Sequence, residues 1–278
     1  MLADPELREA ITALSRAGIP DPEREAILLL LAATGQDRES LYRDGPAMSA
    51  GSRAKFRELF RRRAAREPLP YLTGHREFYG LDLVVSPKVL IPRPETETLV
   101  ETALDVIPPH PGRIVDVGTG SGAVALAIAS AAKAPWSLEA VDLDLAALGV
   151  ARANRVRLGF RIKIYPSDLL SQVEPGLLAV VANLPYVGLD DPVDPEVRFE
   201  PRQAVFAQEG GVALIERLIR QAPLKLVAGG ALLLEVGAGQ AGAVAASMRA
   251  SGFAVGPYAV DLGGHERVVW GIWEGCQP

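Results

Sequence analysis

Twenty residues near the middle of the chain, 113-RIVDVGTGSGAVALAIASAA-132, restrict the possible folds more than any other stretch. The run 113–118 is apolar and reads as a buried strand. Gly118, Gly120 and Gly122 then crowd a tight turn, and 122–132 is apolar enough for a helix packed on that strand. Strand, Gly-rich turn and helix form the opening unit of a parallel sheet, whose strands are covered on both faces and so lack alternation. The chain keeps that rhythm afterwards. Strands are expected at 137–144, 161–168, 177–185 and 229–237, helices at 145–159, 211–223 and 240–252, and end strands near 254–262 and 266–273. The predicted class is α/β, a doubly wound sheet. No internal repeat is visible.

The first 70 residues contain no strand pattern. Leu7, Ile11 and Leu14 follow helical spacing as far as Gly18. Asp21 reads as an N-cap with Pro22 at the first helical position, and Gly35 ends that helix. A third helix starts near Ser49 and stops at Pro68 and Pro70. The segment 77-EFYGLDLVVSPKVLI-91 alternates apolar and polar residues around Gly80 and Pro87, which predicts a short hairpin. Three parts are therefore expected: a small all-helical domain at 1–75, a hairpin linker at 76–95 and a catalytic α/β domain at 96–278.

Composition narrows the function classes. The 278 residues are 49% hydrophobic and 23% charged, which excludes a disordered chain. Cys276 is the only cysteine, so neither an intrachain disulfide nor a cysteine zinc site is expected, and no metal. Asp4, Glu6, Arg8 and Glu9 break the N-terminus where a secretory signal would be apolar. The apolar runs 26–33 and 122–132 fall short of the roughly 20 residues that span a bilayer. A cytoplasmic protein without a membrane segment is expected. The net charge of −5 argues against duplex nucleic acid as a partner. Residues 53–66 nevertheless hold seven basic residues against Glu58, either a solvated helix face or an electrostatic dock for an acidic partner.

Three motifs carry chemistry. In the first, Gly118, Thr119, Gly120, Ser121 and Gly122 let the backbone approach a ligand at the carboxyl end of the first strand of the sheet. Ala123 is compatible with a dinucleotide fingerprint, but Asp116 would repel a pyrophosphate and can instead receive a cationic ammonium. In the second, Asp142 ends the next strand, where a carboxylate can accept from both ribose hydroxyls. Asp144 reads as a helix cap. Asp168 could accept from an adenine amine while Leu169 packs on the ring. The third is 180-VVANLPYV-187. Asn183 offers an acceptor oxygen, and the Leu184 carbonyl, held by Pro185, offers a second. Tyr186 offers a flat face. Such a set suits a planar NH2 group. His75, His110 and His265 lie outside these motifs.

The order D-x-G-x-G-x-G, an acid after the second strand, then Asn-Leu-Pro-Tyr after the fourth resembles the class I, S-adenosylmethionine-dependent amino-methyltransferases, a Rossmann-like fold. The segments 90-LIPRPETETLVE-101, 71-YLTGHREFYGLDLVVSP-87 and 198-RFEPRQAVFAQEGG-211 narrow it. With them the chain, over nearly its whole length, closely resembles the PrmC/HemK family of protein-(glutamine-N5) methyltransferases that act on peptide chain release factors. The resemblance implies S-adenosyl-L-methionine as cofactor, held by Asp116, Gly118 to Gly122, Asp142, Asp168, Leu169 and Asn183. It implies Asn183, Pro185 and Tyr186 as catalytic residues, with Leu184 and Arg93 completing the substrate site. A release factor is the implied partner of a monomer, with no direct nucleic-acid contact. One departure stands out. The family usually has Pro where Leu184 stands, and N-L-P-Y occurs in the related rRNA adenine dimethyltransferases. The alternative is thus a nucleic-acid adenine-N6 methyltransferase with the same clamp.

Overall fold

The computed structural model describes residues 4–188, 191–207 and 212–275. Cys276 and the start of the helix expected at 211 lie outside the described residues. Two compact units emerge, one of residues 1–75 with 193–199, the other of 76–192 with 200–278.

The first unit is helical: α1 (Pro5–Arg16), α2 (Pro22–Thr34), α3 (Arg38–Asp44), α4 (Ala50–Ala64) and α5 (Leu69–Thr73). Their starts are chemically marked. Asp4, Asp21, Asp37 and Ser49 each accept a backbone N–H of the first turn, satisfying donors the helix itself leaves unpaired. Leu7, Leu14, Leu29, Leu30, Leu41, Phe56 and Phe60 are buried together, and the rings of Phe56 and Phe60 meet edge-on at 5.4 Å. The basic run at 53–66 is largely consumed inside this unit. Arg53 and Arg57 pair with Glu6, Arg62 with Glu58 and Glu67, and Arg66 with Glu196. Arg63 is buried between Glu25 and Glu196. The reading of 53–66 as an open electrostatic dock is narrowed accordingly: of the exposed Arg57, Arg61 and Arg62, Arg57 and Arg62 are engaged, and only Arg61 lacks a partner among the described residues.

The second unit opens with a hairpin of β1 (His75–Phe78) and β2 (Leu81–Val84), turned at Tyr79 and Gly80, both with positive φ. Phe78 and Leu83 are buried in the core of this unit. A 3-10 turn (Pro94–Thr96) leads into α6 (Glu97–Val106). Then come β3 (Gly112–Val117), α7 (Ala123–Ala131), β4 (Trp136–Asp142), α8 (Leu145–Leu158), β5 (Lys163–Pro166) and β6 (Leu177–Ala182). The short α9 (Arg202–Val205), α10 (Ala213–Gln221), β7 (Leu226–Glu235), α11 (Ala241–Ala250), β8 (Phe253–Val255), β9 (Ala259–Val260) and β10 (Glu266–Trp273) complete it.

The main sheet runs β5-β4-β3-β6-β7-β10-β8, with β9 pairing β10. Its first five strands are parallel, and β10 runs antiparallel to both neighbours. This is a Rossmann-like doubly wound sheet. Neighbours on β3 feed opposite faces, Ile114 one core cluster and Val115 and Val117 the other, as a two-residue period requires. The chain leaves β3 for β4 and β5, then returns to β6 on its other side. That reversal opens a crevice at the carboxyl ends of β3 and β6. The single strand expected at 254–262 is instead two short pieces, broken around Gly256. A Cβ there would lie 2.1 Å from the Trp270 ring, so the backbone must bend past the indole. Among the described residues, no helix is long and apolar enough to cross a membrane.

Candidate active site

A cavity of about 530 Å³ occupies the crevice. It brings together Gly118, Gly120, Asp142, Asp168, Leu169, Asn183, Leu184 and Pro185. Asp116, Thr119, Ser121, Gly122, Arg93 and Tyr186 do not line it; they stand behind or beside the residues that do.

The Gly-rich turn is held from below. Gly118 and Thr119 donate to the Val141 carbonyl at 2.9 and 3.0 Å. Asp116 is buried, and its Oδ2 accepts from the Thr119 hydroxyl at 2.6 Å and the Ala125 N–H at 3.2 Å. Burial pushes the Asp116 carboxyl up to about 7. Gly118 has φ +74°, and a Cβ on it would lie 2.9 Å from Leu184 Cδ2. The turn therefore needs glycine twice over, for its conformation and because the Leu184 side chain rests on it. Asp142 stands across the turn. Its Oδ2 accepts from Gly120 N–H and its Oδ1 from Asp144 N–H, both at 2.9 Å, and burial raises its pKa. Asp144 caps α8 through Ala146 N–H and also accepts from Gln203 Nε2 at 2.7 Å. Asp168 pairs with Arg217 at 2.8 Å, beside Leu169, whose φ is +50°.

On the other wall, Asn183 Nδ2 donates to Thr96 Oγ1 at 3.0 Å. The Tyr186 carbonyl accepts from Gln240 Nε2 at 3.0 Å, and its hydroxyl donates to Glu235 Oε1 at 3.2 Å. Burial pushes the Glu235 carboxyl up to about 7. Arg93 pairs with the buried Glu200 at 2.6 Å. Leu143 and Leu145, 73% and 68% exposed, offer bare apolar surface at the cavity.

Residues 7–74 match the family model of the PrmC N-terminal domain, and residues 95–191 that of the methyltransferase small domain. A release factor glutamine methyltransferase of Koribacter versatilis is 42% identical, over 94% of this chain and 95% of its own. One of Escherichia coli is 40% identical, over 95% and 96%. The chain belongs to the release factor glutamine methyltransferase family. Its fold is shared with a methyltransferase from Pyrococcus furiosus (TM-score 0.56, 18% identity, 71% of this chain and 90% of that one).

Within this family member, several residues at or behind the cavity carry no signal of their own in the sequence. Leu143, Leu145 and Gln203 line it, while Thr96 and Glu235 back it. Thr96 lies inside the PRPETE segment that marks the resemblance, so that segment could have pointed to it. Glu235 ends an apolar strand expected only to be core. A carboxylate at the carboxyl end of a buried strand was the available clue.

Proposed function

We propose that the chain transfers a methyl group from S-adenosyl-L-methionine to the side-chain amide nitrogen of a glutamine in a peptide chain release factor. One observation carries the reading. Asn183, Leu184 and Pro185 line the same cavity as Gly118, Gly120 and Asp142, so an amide clamp and a nucleoside site share one space.

The residues suit that cofactor. The cavity lies within the usual range for small-molecule sites, about 300–1,000 Å³. Each Asp142 oxygen accepts one backbone N–H and keeps a lone pair for a ribose hydroxyl. Leu143 and Leu145 give the base an apolar surface to cover. When bound, the cofactor supplies a methyl group on a positively charged sulfur, an activated leaving group.

The chain's own residues then have a modest chemical task. A carboxamide nitrogen is a weak nucleophile, and positioning is the main available lever. Asn183 Oδ1 and the Leu184 carbonyl accept the two N–H bonds of the substrate amide, with Pro185 fixing the backbone between clamp and ring. These acceptors favour the positive charge that develops on nitrogen as the N–C bond forms and the C–S bond breaks. The methylated amide nitrogen is then strongly acidic and loses its proton to water, so no side-chain base is required. Leu184 serves through its carbonyl, which a leucine provides as well as a proline.

In this reading the helical domain, residues 1–75, docks the release factor, and the chain acts as a monomer without nucleic acid. Every residue invoked comes from one chain. Adenine-N6 methylation is not favoured, since relatives matched over nearly their full length are named for release factor glutamine. Mass spectrometry of a release factor after incubation with the protein and labelled cofactor tests the proposal. One added methyl on a glutamine is expected; an unmodified release factor would overturn it.

A further inference from the structure

The polar contacts behind Asn183 have a direction. Its Nδ2 donates to the Thr96 hydroxyl, leaving Oδ1 as the atom for the cavity. A hydroxyl has one proton to give. Thr96 accepts from Asn183, which leaves its own proton available to its other polar neighbour, the carboxyl of Glu235 at the end of β7, whose ionised form Thr96 favours. That carboxyl is buried. Oε1 accepts from Tyr186, while Oε2 has no hydrogen bond of ordinary geometry among the described residues. An ionised carboxylate only accepts, so it holds every donor around it pointing inward.

We propose, resting on the glutamine-methylation reading, that Glu235 is a positioning residue that acts through Thr96 to keep the Asn183 oxygen turned toward the cavity, so that the site selects the NH2 of a carboxamide over a group that can only accept.

The alternative orientation has a defined chemical trigger. A protonated Glu235 can donate to Thr96. Thr96 can then donate to Asn183 Oδ1, and the amide turns over with almost no change of shape. A donor would now face the substrate's donor, and both N–H groups would be left without an acceptor in a buried site. Four groups face Glu235. Tyr186 comes from the loop after β6, Arg267 from β10, and Glu95 and Thr96 from the turn before α6. Arg267 is itself shared with Asp261, at 3.0 and 2.9 Å, and so offsets the buried charge only in part. Burial outweighs them and places the titration of Glu235 at about 7. The anionic, orienting form is therefore gained as pH rises through neutrality.

The test uses the full-length protein and an intact release factor. In Glu235→Gln, the new amide both donates and accepts and cannot dictate the direction. Its kcat/KM at about pH 8 should fall about tenfold, the equivalent of about 1.4 kcal/mol, while cofactor affinity by calorimetry is kept. The rise in kcat/KM expected for the parent between about pH 6 and about pH 8 should flatten. Thr96→Val, which cuts the relay, should give the same loss, Thr96→Ser should restore the pH profile, and the double variant Thr96→Val/Glu235→Gln should be no worse than the poorer single one. A release factor with Glu at the target position should compete better against the Glu235→Gln variant than against the parent. Should Glu235→Gln fail to bind cofactor, the Thr96 pair carries the same test. A parental pH profile in Glu235→Gln, or losses that multiply in the double variant, would overturn the relay while leaving glutamine methylation standing. A parent that binds cofactor yet methylates no release factor would overturn both.

Discussion

Asn183 and Asp142 face each other across one cavity and answer to different ligands, which makes their substitutions separable. Asn183→Ala removes an acceptor for the substrate amide, so methyl transfer should be nearly abolished while calorimetry finds cofactor affinity intact. A large loss of cofactor binding would move Asn183 out of the clamp. Asp142→Ala should instead weaken cofactor binding by about 1–3 kcal/mol, the scale of hydrogen bonds to a charged group. It also leaves the Gly120 and Asp144 N–H groups unpaired, so part of that loss comes from a slackened turn. Asp116 gives a third, electrostatic test. Its carboxyl is raised by burial from 3.8 to about 7. The folded state thus prefers the neutral acid. Its stabilising contribution is complete below about pH 4 and is lost as pH rises through 7. Asp116→Asn is neutral throughout and keeps an acceptor for Thr119 and Ala125. Between pH 5 and pH 8 the melting temperature of the parent should therefore fall relative to Asp116→Asn. Parallel melting curves would show that Asp116 ionises without cost.

Elements hold these residues in place, and Asn154 is where three of them meet. From α8, its Oδ1 accepts from Val84 N–H at 2.8 Å, and its Nδ2 donates to the carbonyls of Val84 and Ser121 at 2.9 and 3.0 Å. One side chain thereby ties the hairpin, the Gly-rich turn and α8 together. Asn154→Ala should destabilise by roughly 2–4 kcal/mol in urea unfolding and also weaken cofactor binding, because the turn loses a tether. Loss of stability with unchanged affinity would limit Asn154 to the hairpin. Nothing in the sequence around Asn154 distinguishes it from a solvated helix residue, since its partners lie 70 and 33 residues away. The same distance effect decides what could be read directly. The Gly-rich turn, the caps at Asp21 and Ser49, and the continuous strands β3, β6 and β7 announce themselves within a few residues. The short helices α3, α5 and α9 lack a full apolar period, and the split between β8 and β9 depends on Trp270, which meets Gly256 only once β10 has paired back beside them. At the site, backbone-encoded features such as Gly118 and the Asn183–Pro185 turn were legible. The Thr96–Glu235 pair was not, because it exists only once the turn before α6 is packed against the end of β7.

For the whole molecule, selecting one glutamine in a folded partner asks for more than the cavity supplies. A glutamine side chain offers few contacts, so further surface is needed for specificity. Charge on α4 could attract that partner, but most of it already serves the unit's own fold. Arg63 is buried among Glu25 and Glu196, and Arg63→Ala would leave Glu25 uncompensated and Glu196 with Arg66 alone. Its expected cost is about 3–5 kcal/mol of stability, a folding effect with no bearing on docking. Deleting residues 1–75 has the same flaw, since Glu196 belongs to the segment 193–199 and would lose both Arg63 and Arg66. Arg61 is the cleaner probe, because it is exposed and unpartnered among the described residues. Arg61→Glu in the full-length protein should raise KM for intact release factor several-fold at low salt and leave kcat and cofactor affinity unchanged. The effect should shrink as ionic strength approaches about 0.15 M, where the screening length is about 8 Å. A short glutamine peptide, which presents little beyond the target residue, should show no change. An equal rise in KM for peptide and intact partner, or no rise for either, would leave α4 as a stability element and remove attraction from the docking role.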